Sequence, residues 1–316
     1  MLFASRSDKS FDDRHFNELP QFFRSGDTLV INNTKVIPAR LFVSTPTGAK
    51  VEIFLIEQLD GSSWLALARP AKRLKPDMCV RLNDGNQVRI IEKQDDGKII
   101  IEFETDEDVF SIIENNGKTP LPPYIKRNDN NLDTDKQRYQ TVYAKDRGAI
   151  AAPTAGLHFT DDVVSALKEK GVNIVEITLH VGYGTFEPVR EEDLKHHSVL
   201  AERYVLTEAA AYTLNAAKVD GRRIIAVGTT STRALESNFQ KHGRFVAESS
   251  LAQMTVLPGY QFVAIDGLLT NFHLPKSSLL VLVSAFGGYD LIMKAYQHAV
   301  DSKYRFYSYG DCMLIL

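Results

Sequence analysis

Residues 222–237 read RRIIAVGTTSTRALES, a strand, a sharp turn and the start of a helix in one stretch. Ile224, Ile225, Ala226 and Val227 form the short apolar run of a buried strand. Gly228 ends it, Thr229, Thr230, Ser231, Thr232 and Arg233 follow, and a helix-forming run opens at Ala234. A helix entered directly from a strand presents free backbone N–H groups at its first turn. Those donors and the helix dipole favour an anionic or strongly accepting ligand group. A hydroxyl before a helix is most often only an N-cap. Four in a row beside an arginine put ligand binding on an equal footing, so Thr229, Thr230, Ser231 and Arg233 are candidate binding residues.

Outward from this stretch the chain alternates strand and helix. Thr28–Asn32 reads as a strand, Thr160 as the cap of a helix ending at Gly171, and Val172–Val181 as a strand. Thr207 caps a helix to Asp220, and Lys276–Phe286 and Tyr289–Ser302 fit two more. Such alternation predicts a sheet covered by helices. Residues 42–104 have another texture. Short alternating runs at Val51–Glu57, Ser63–Arg69, Cys79–Leu82, Gln87–Glu92 and Lys98–Glu104 are separated by Asp60-Gly61, Asn83-Asp84-Gly85 and Asp95-Asp96-Gly97. Even spacing with such turns suggests a small antiparallel barrel. Asp106–Asn116 reads as a helix closing at Gly117, Leu121–Tyr124 as a stiff extended connector, and 126–136 as a polar loop. The expected fold class is therefore α/β. A discontinuous core, 1–41 and 105–316, carries an inserted β-barrel at 42–104. Asn32, Asn33 and Thr34 interrupt the apolar pattern, either as a turn or as ligand-facing groups.

The 316 residues are 44% hydrophobic and 24% charged, with net charge −3, an ordinary globular composition. No apolar run approaches the roughly 18 residues of a membrane span, and MLFASRSDKS lacks a signal-peptide core, so a cytoplasmic protein is expected. Cys79 and Cys312 are the only cysteines. That count excludes a thiolate-held iron–sulfur cluster and disfavours structural zinc. The acidic balance restricts any RNA contact to a local patch. Arg69, Lys72, Arg73 and Lys75, stiffened by Pro70 and Pro76, supply one. It reads as a solvated face or as a phosphate-binding loop.

Three histidines stand in loops or at strand ends: His158 in PTAGLHF, His180 before Gly-Tyr-Gly, and His273 in TNFHLP. Such positions hold ligands in open α/β sheets. The pair Gly182 and Gly184 lacks a third glycine, so a dinucleotide loop is disfavoured against a strained turn beside a ligand. Tyr304–Tyr309 interleaves aromatics with a cation and suits stacking on a base, or a core strand with alternate rings buried.

The central stretch, together with AAPTAGLHFT from Ala151, TLHVGYGTFEPV from Thr178, TNFHLPKSSLLVLVSAFGG from Thr270 and YRFYSYGDCMLIL from Tyr304, resembles the S-adenosylmethionine (AdoMet):tRNA ribosyltransferase-isomerases of the queuosine pathway. NNTKVIPARLF and ARPAKRLKP fit as well, in family order over almost the whole chain. The resemblance implies a barrel inserted into an α/β core and an enzyme that uses AdoMet as co-substrate, without metal or prosthetic group. Its partner is tRNA bearing 7-aminomethyl-7-deazaguanine. It adds Thr154, Gly156, Asn271, Tyr309 and Asp311 to the substrate-binding candidates, and His158, His180 and His273 become candidates for proton transfer. Two departures stand out. Met1 falls inside the family pattern, and HSVLAE from His197 has Leu200 where the family often carries a second histidine. From the residues alone, an AdoMet methyltransferase and a non-catalytic RNA-binding module remain alternatives. A monomer is expected.

Overall fold

A computed structural model describes residues 1–121, 137–182 and 199–316. The chain divides into two compact units. The first comprises Met1–Thr34, Thr141–Asp146 and Ala152–Leu316. It is built on a nine-stranded mixed sheet. From edge to edge the strands are Glu248–Ala252, Glu202–Leu206, Asn173–Leu179, Thr28–Asn32, Ile224–Val227, Gly267–Asn271, Cys312–Ile315, Leu2–Ser5 and Ser10–Asp13. The four strands Asn173–Leu179, Thr28–Asn32, Ile224–Val227 and Gly267–Asn271 are mutually parallel.

The interior strands Thr28–Asn32, Ile224–Val227 and Gly267–Asn271 are buried at every position, as expected of parallel strands covered on both faces. Leu29, Ile31, Ile225, Val227, Leu269 and Leu314 share one core with Leu19, Phe23, Phe159, Val163 and Leu167. The last two lie on the helix Asp161–Glu169, whose cap Thr160 accepts from the Val163 amide. Thr207 caps Glu208–Val219 in the same way, accepting from Ala210. Ser277 caps Ser278–Gly287, and Tyr289–Asp301 follows after Gly288.

The second unit comprises Lys35–Gln140 and Arg147–Ala151. Its antiparallel strands Arg40–Ser44, Lys50–Gln58, Ser63–Arg69, Cys79–Arg81, Gln87–Lys93 and Lys98–Glu104 close into a barrel where Ser44 meets Arg81. Inward residues alternate along the strands, and Leu41, Val43, Ile53, Leu55, Trp64, Ala66, Val88, Ile90, Ile99 and Ile101 fill the interior. The helix Val109–Asn116 is capped by Asp108. Gly117 then turns the chain onto the Arg40–Ser44 edge, opposite Leu41. A side chain there is barred, because a Cβ would lie 1.8 Å from the Pro38 carbonyl oxygen.

Candidate active site

Because four neighbouring strands run in parallel, their carboxyl ends open at one edge of the sheet. Asn33 and Thr34, His180, Gly228, and Phe272 and His273 all leave the sheet there. Open α/β sheets bind ligands outside the carboxyl ends of their strands.

The helix Gly228–His242 begins without a linker after Val227. Gly228 has φ 86°, a conformation that glycine adopts without strain. The hydroxyl row is therefore the first turn itself and not a set of caps before it. Ser231 Oγ donates back to the Val227 carbonyl at 2.8 Å and Thr232 Oγ1 to Gly228 at 3.1 Å. No side chain caps the helix, so the first-turn amides stay available for an accepting group. Thr229 and Thr230 are buried in this turn, and Thr230 Oγ1 has no hydrogen-bond partner among the described residues.

Arg233 has another occupation than the expected anion. Its Nη1 donates to Glu202 Oε2 at 2.5 Å, its Nη2 to the carbonyls of Leu200 and Ala252 at 3.0 Å each, and its Nε to Met254 at 3.3 Å. The guanidinium is engaged by protein groups, a set of partners that the sequence reading of Arg233 as a ligand-binding residue did not include.

The short 3-10 turn Thr154–His158 joins three parts of the site. Ala155 lies beside Gly228, and a Cβ added at Gly228 would be 3.8 Å from the Ala155 Cβ. Gly156 lies beneath Tyr143, whose hydroxyl would be 2.2 Å from any Cβ at Gly156. That hydroxyl is buried without a partner among the described residues, and burial drives its pKa far above the usual tyrosine value. His158 faces Asn271. The Asn271 amide donates to the carbonyls of Tyr307 and Ser308 at 2.9 and 3.2 Å, which turns its oxygen toward the histidine. Burial lowers the His158 pKa and Asn271 pulls it back up, although no hydrogen bond of normal geometry joins the two. Phe16 lies against the His158 ring at 5.4 Å.

Asp311 belongs to the loop that carries Tyr309. Arg305 donates its backbone amide to Asp311 at 2.7 Å and its guanidinium at 3.3 Å. Burial would raise the Asp311 carboxyl, but these bonds hold it below its usual range. Phe306 packs half-buried on Phe272 and Tyr296 at 5.2 and 6.0 Å, but residues 304–309 form a loop and not the core strand expected as the alternative to base stacking.

His180 sits in a polar network that the sequence did not announce. Its Nδ1 is 2.8 Å from Thr34 Oγ1. Thr178 Oγ1 is within 2.9 Å of the Asp146 carboxylate. Burial lowers the His180 pKa, and Asp146 partly restores it. Asn32 and Asn33 stitch the strand ends instead of facing a ligand. Asn32 exchanges two hydrogen bonds with the Leu179 backbone at 2.9 and 3.0 Å, and Asn33 accepts from Thr178 at 2.7 Å.

His273 differs from the other two. Its Nε2 pairs with Thr270 Oγ1 at 2.8 Å, its backbone N–H donates to Tyr296, and burial pushes its pKa down to about 4. An imidazole held neutral this strongly is a poor base at neutral pH. It also makes the fold acid-sensitive. The unfolded histidine takes up a proton near 6.5 and the folded one only near 4. This contribution to stability is complete above pH 6.5 and is lost as pH falls toward 4, a difference on the order of 3 kcal/mol. His273→Gln should therefore lose less stability than the parent between pH 7 and pH 4.5, measured by urea unfolding. Equal losses in both proteins would rule this out.

The remaining candidates lie elsewhere or outside the described residues. Arg69, Lys72, Arg73 and Lys75 are exposed on the barrel unit, at and after the end of Ser63–Arg69. Lys93 joins them, its ammonium holding the carbonyls of Ala71 and Leu74 at 3.1 and 3.3 Å. Gly182 donates its amide to Glu202 Oε1 at 3.1 Å. Gly184 and His197 lie outside the described residues, as do most of the expected 121–124 connector and the whole 126–136 loop. Among the described residues no group of three or more His, Cys, Asp or Glu side chains is arranged to hold a metal ion. Asp146, Tyr143 and Lys93 carried no motif; Glu202 closes the HSVLAE stretch.

Comparison with known proteins gives this geometry its context. The family described as Queuosine biosynthesis protein matches residues 1–315. The S-adenosylmethionine:tRNA ribosyltransferase-isomerase of Staphylococcus saprophyticus is 48% identical over 318 aligned positions, covering 100% of this chain and 92% of the relative. The protein of the same name from Desulforamulus reducens is 45% identical with the same coverage. The crystal structure of the S-adenosylmethionine tRNA ribosyltransferase of Thermotoga maritima aligns with TM-score 0.54 and 32% identity, over 100% of this chain and 91% of that one.

Proposed function

This chain belongs to the queuosine biosynthesis family of S-adenosylmethionine:tRNA ribosyltransferase-isomerases, and from that premise we propose that it moves the ribosyl part of AdoMet onto 7-aminomethyl-7-deazaguanine at the tRNA wobble position. The sugar becomes an epoxycyclopentanediol, adenine and methionine leave, and the product is epoxyqueuosine tRNA. The reaction sets separate demands. A base takes a proton from the carbon beside the positive sulfur. A donor assists the departure of adenine. The attacking amine of the tRNA is neutral.

The observation that carries this reading is the meeting of His180, the uncapped first turn at Gly228 and the His158–Asn271 pair at one edge of the sheet. His180 is the proton acceptor. Burial keeps it neutral, and Asp146 stabilises the imidazolium once it forms. The amides of Gly228 and Thr229 receive an anionic group such as the methionine carboxylate, with Thr230 beside them. Gly156 lets the Tyr143 hydroxyl approach the turn closely, and that unpartnered hydroxyl, near Thr154, is the polar group offered to the nucleoside. His158 and Asn271 provide the polar contact for the departing adenine. Asp311 and Tyr309 shape the neighbouring wall, and Arg69–Lys75 on the barrel binds tRNA phosphates. No metal or prosthetic group takes part, and the protein acts as a cytoplasmic monomer.

The test is one incubation with AdoMet and tRNA bearing the aminomethyl-deazaguanine. Nucleoside mass spectrometry should find the epoxyqueuosine product, with free adenine in equal amount. S-adenosylhomocysteine in place of adenine would instead mark a methyltransferase, and an absence of any product a binding module.

A further inference from the structure

Arg233 and Glu202 form an ion pair with 6% and 4% of their side chains exposed. Burying two charges costs more than their mutual attraction returns unless their other donors and acceptors are also satisfied. Here they are satisfied in a directed way. Arg233 grows from the second turn of the helix Gly228–His242 and ties together Leu200, Glu202, Ala252 and Met254. Glu202 passes the constraint on, because its Oε1 accepts the Gly182 amide at 3.1 Å. Gly182 lies two residues beyond His180. The His180 amide is itself held by the Arg203 carbonyl at 3.1 Å, next to Glu202. The chain on both sides of the His180 side chain is thus fixed to one short segment, and Arg233 fixes that segment to the hydroxyl-rich helix.

We propose that Arg233 is a positioning residue that acts through Glu202 to orient His180 against the first turn at Gly228. A well-packed apolar pair would serve stability equally well. A planar fork reaching one carboxylate and three carbonyls instead fixes direction, and a lysine ammonium cannot span those acceptors. The inference rests on the reading of His180 as the proton acceptor.

The test is a double-mutant cycle between Arg233→Lys and His180→Gln, with Glu202→Gln as a second probe that keeps side-chain volume and an acceptor for Gly182. In single-turnover assays Arg233→Lys should lower the rate about 10–100-fold while AdoMet affinity changes less than about threefold, the pattern of a residue acting on chemistry and not on binding. The double variant should be no slower than His180→Gln alone, since a mispositioned histidine that is already absent costs nothing further. Glu202→Gln should show the same non-additivity with a smaller loss. It carries the test if Arg233→Lys does not fold. Weakened AdoMet affinity with fully additive rate losses would overturn the proposal and return Arg233 to anion binding. A normal rate in His180→Gln alone would instead remove the premise, by showing that the proton acceptor is another residue.

Discussion

Replacing His180 with glutamine should lower the single-turnover rate of adenine release by about 10²–10⁴-fold, the usual contribution of a positioned general acid or base. Of the three histidines, His180 is the one paired with both a hydroxyl and a nearby carboxylate. Thr34 Oγ1 fixes its Nδ1 at 2.8 Å, and Asp146 acts on its charge. A base oriented by one group and stabilised by another follows the general logic of activated sites. His273 is held neutral by burial, down to about 4, and His158 Nε2 is buried without a hydrogen-bond partner among the described residues, with no group to orient it as a base. Glutamine at 180 keeps a partner for Thr34 but cannot take a proton, so folding and AdoMet affinity should be retained. The pH profile sharpens the prediction. A base must be neutral to act, so the rate falls as pH drops through its pKa. Burial lowers the His180 pKa, which puts this acid limb below the usual 6.5. Asp146→Asn removes the group that raises it, so the limb should move to still lower pH while the plateau rate declines. A His180→Gln variant that turns over normally, or an acid limb that does not respond to Asp146→Asn, would place the base elsewhere.

The sequence was most legible where one segment buries its own pattern. Ser63–Arg69 and Lys98–Glu104 are strands residue for residue, because inward and outward side chains alternate along them. Thr28–Asn32 is also found as read, and Thr160 and Thr207 cap the helices expected of them. Edge strands were less visible. Ser10–Asp13 is largely exposed and Glu248–Ala252 is mostly polar, so neither has the apolar alternation that marks a half-buried strand. Gly267–Asn271 is a central strand, but its five residues are too few to separate strand from helix by period.

At the site, the strand–turn–helix was legible and the use of its side chains was not. Arg233 reads as an anion receptor because its nearest sequence neighbours are hydroxyls. Its real partner, Glu202, is 31 residues away, and its other acceptors are backbone carbonyls that no side chain advertises. Asn32 and Asn33 read as a turn or as ligand-facing groups for the same reason. Their partners Leu179 and Thr178 become adjacent only when the parallel sheet forms. Asp146 and Tyr143 were invisible because they reach the site by tertiary packing alone. Gly156 could be read as special, but the cause, a tyrosine hydroxyl directly above it, could not.

Neutralising Arg69, Lys72, Arg73 and Lys75 together to glutamine should weaken tRNA binding and flatten its salt dependence, with AdoMet affinity unchanged. All four residues are exposed, and none has an ion-pair partner among the described residues. The loop is also shaped. Residues Ala71–Arg73 form a 3-10 turn, Lys93 holds the carbonyls of Ala71 and Leu74, and Arg73 donates to the Lys50 carbonyl at 3.2 Å. Cations on a held turn lose less freedom on meeting phosphates than cations on a loose chain. Each phosphate left without its cation should reduce the slope of log affinity against log salt by about 0.7–0.9, because fewer counterions are released, giving about three units for four phosphates. The weakening should be equal for matched and mismatched anticodons, since phosphate binding positions a nucleic acid without reading it. Lys93→Met separates shape from charge. It removes the tether from the loop along with one charge, so a slope change larger than one phosphate's share would mean that the other four cations no longer reach their phosphates. A quadruple variant with the parent's salt slope would make Arg69–Lys75 a solvated face. The tRNA surface would then have to lie on the sheet-based unit, where Lys303 and Arg305 are the exposed cations beside the aromatic C-terminal loop.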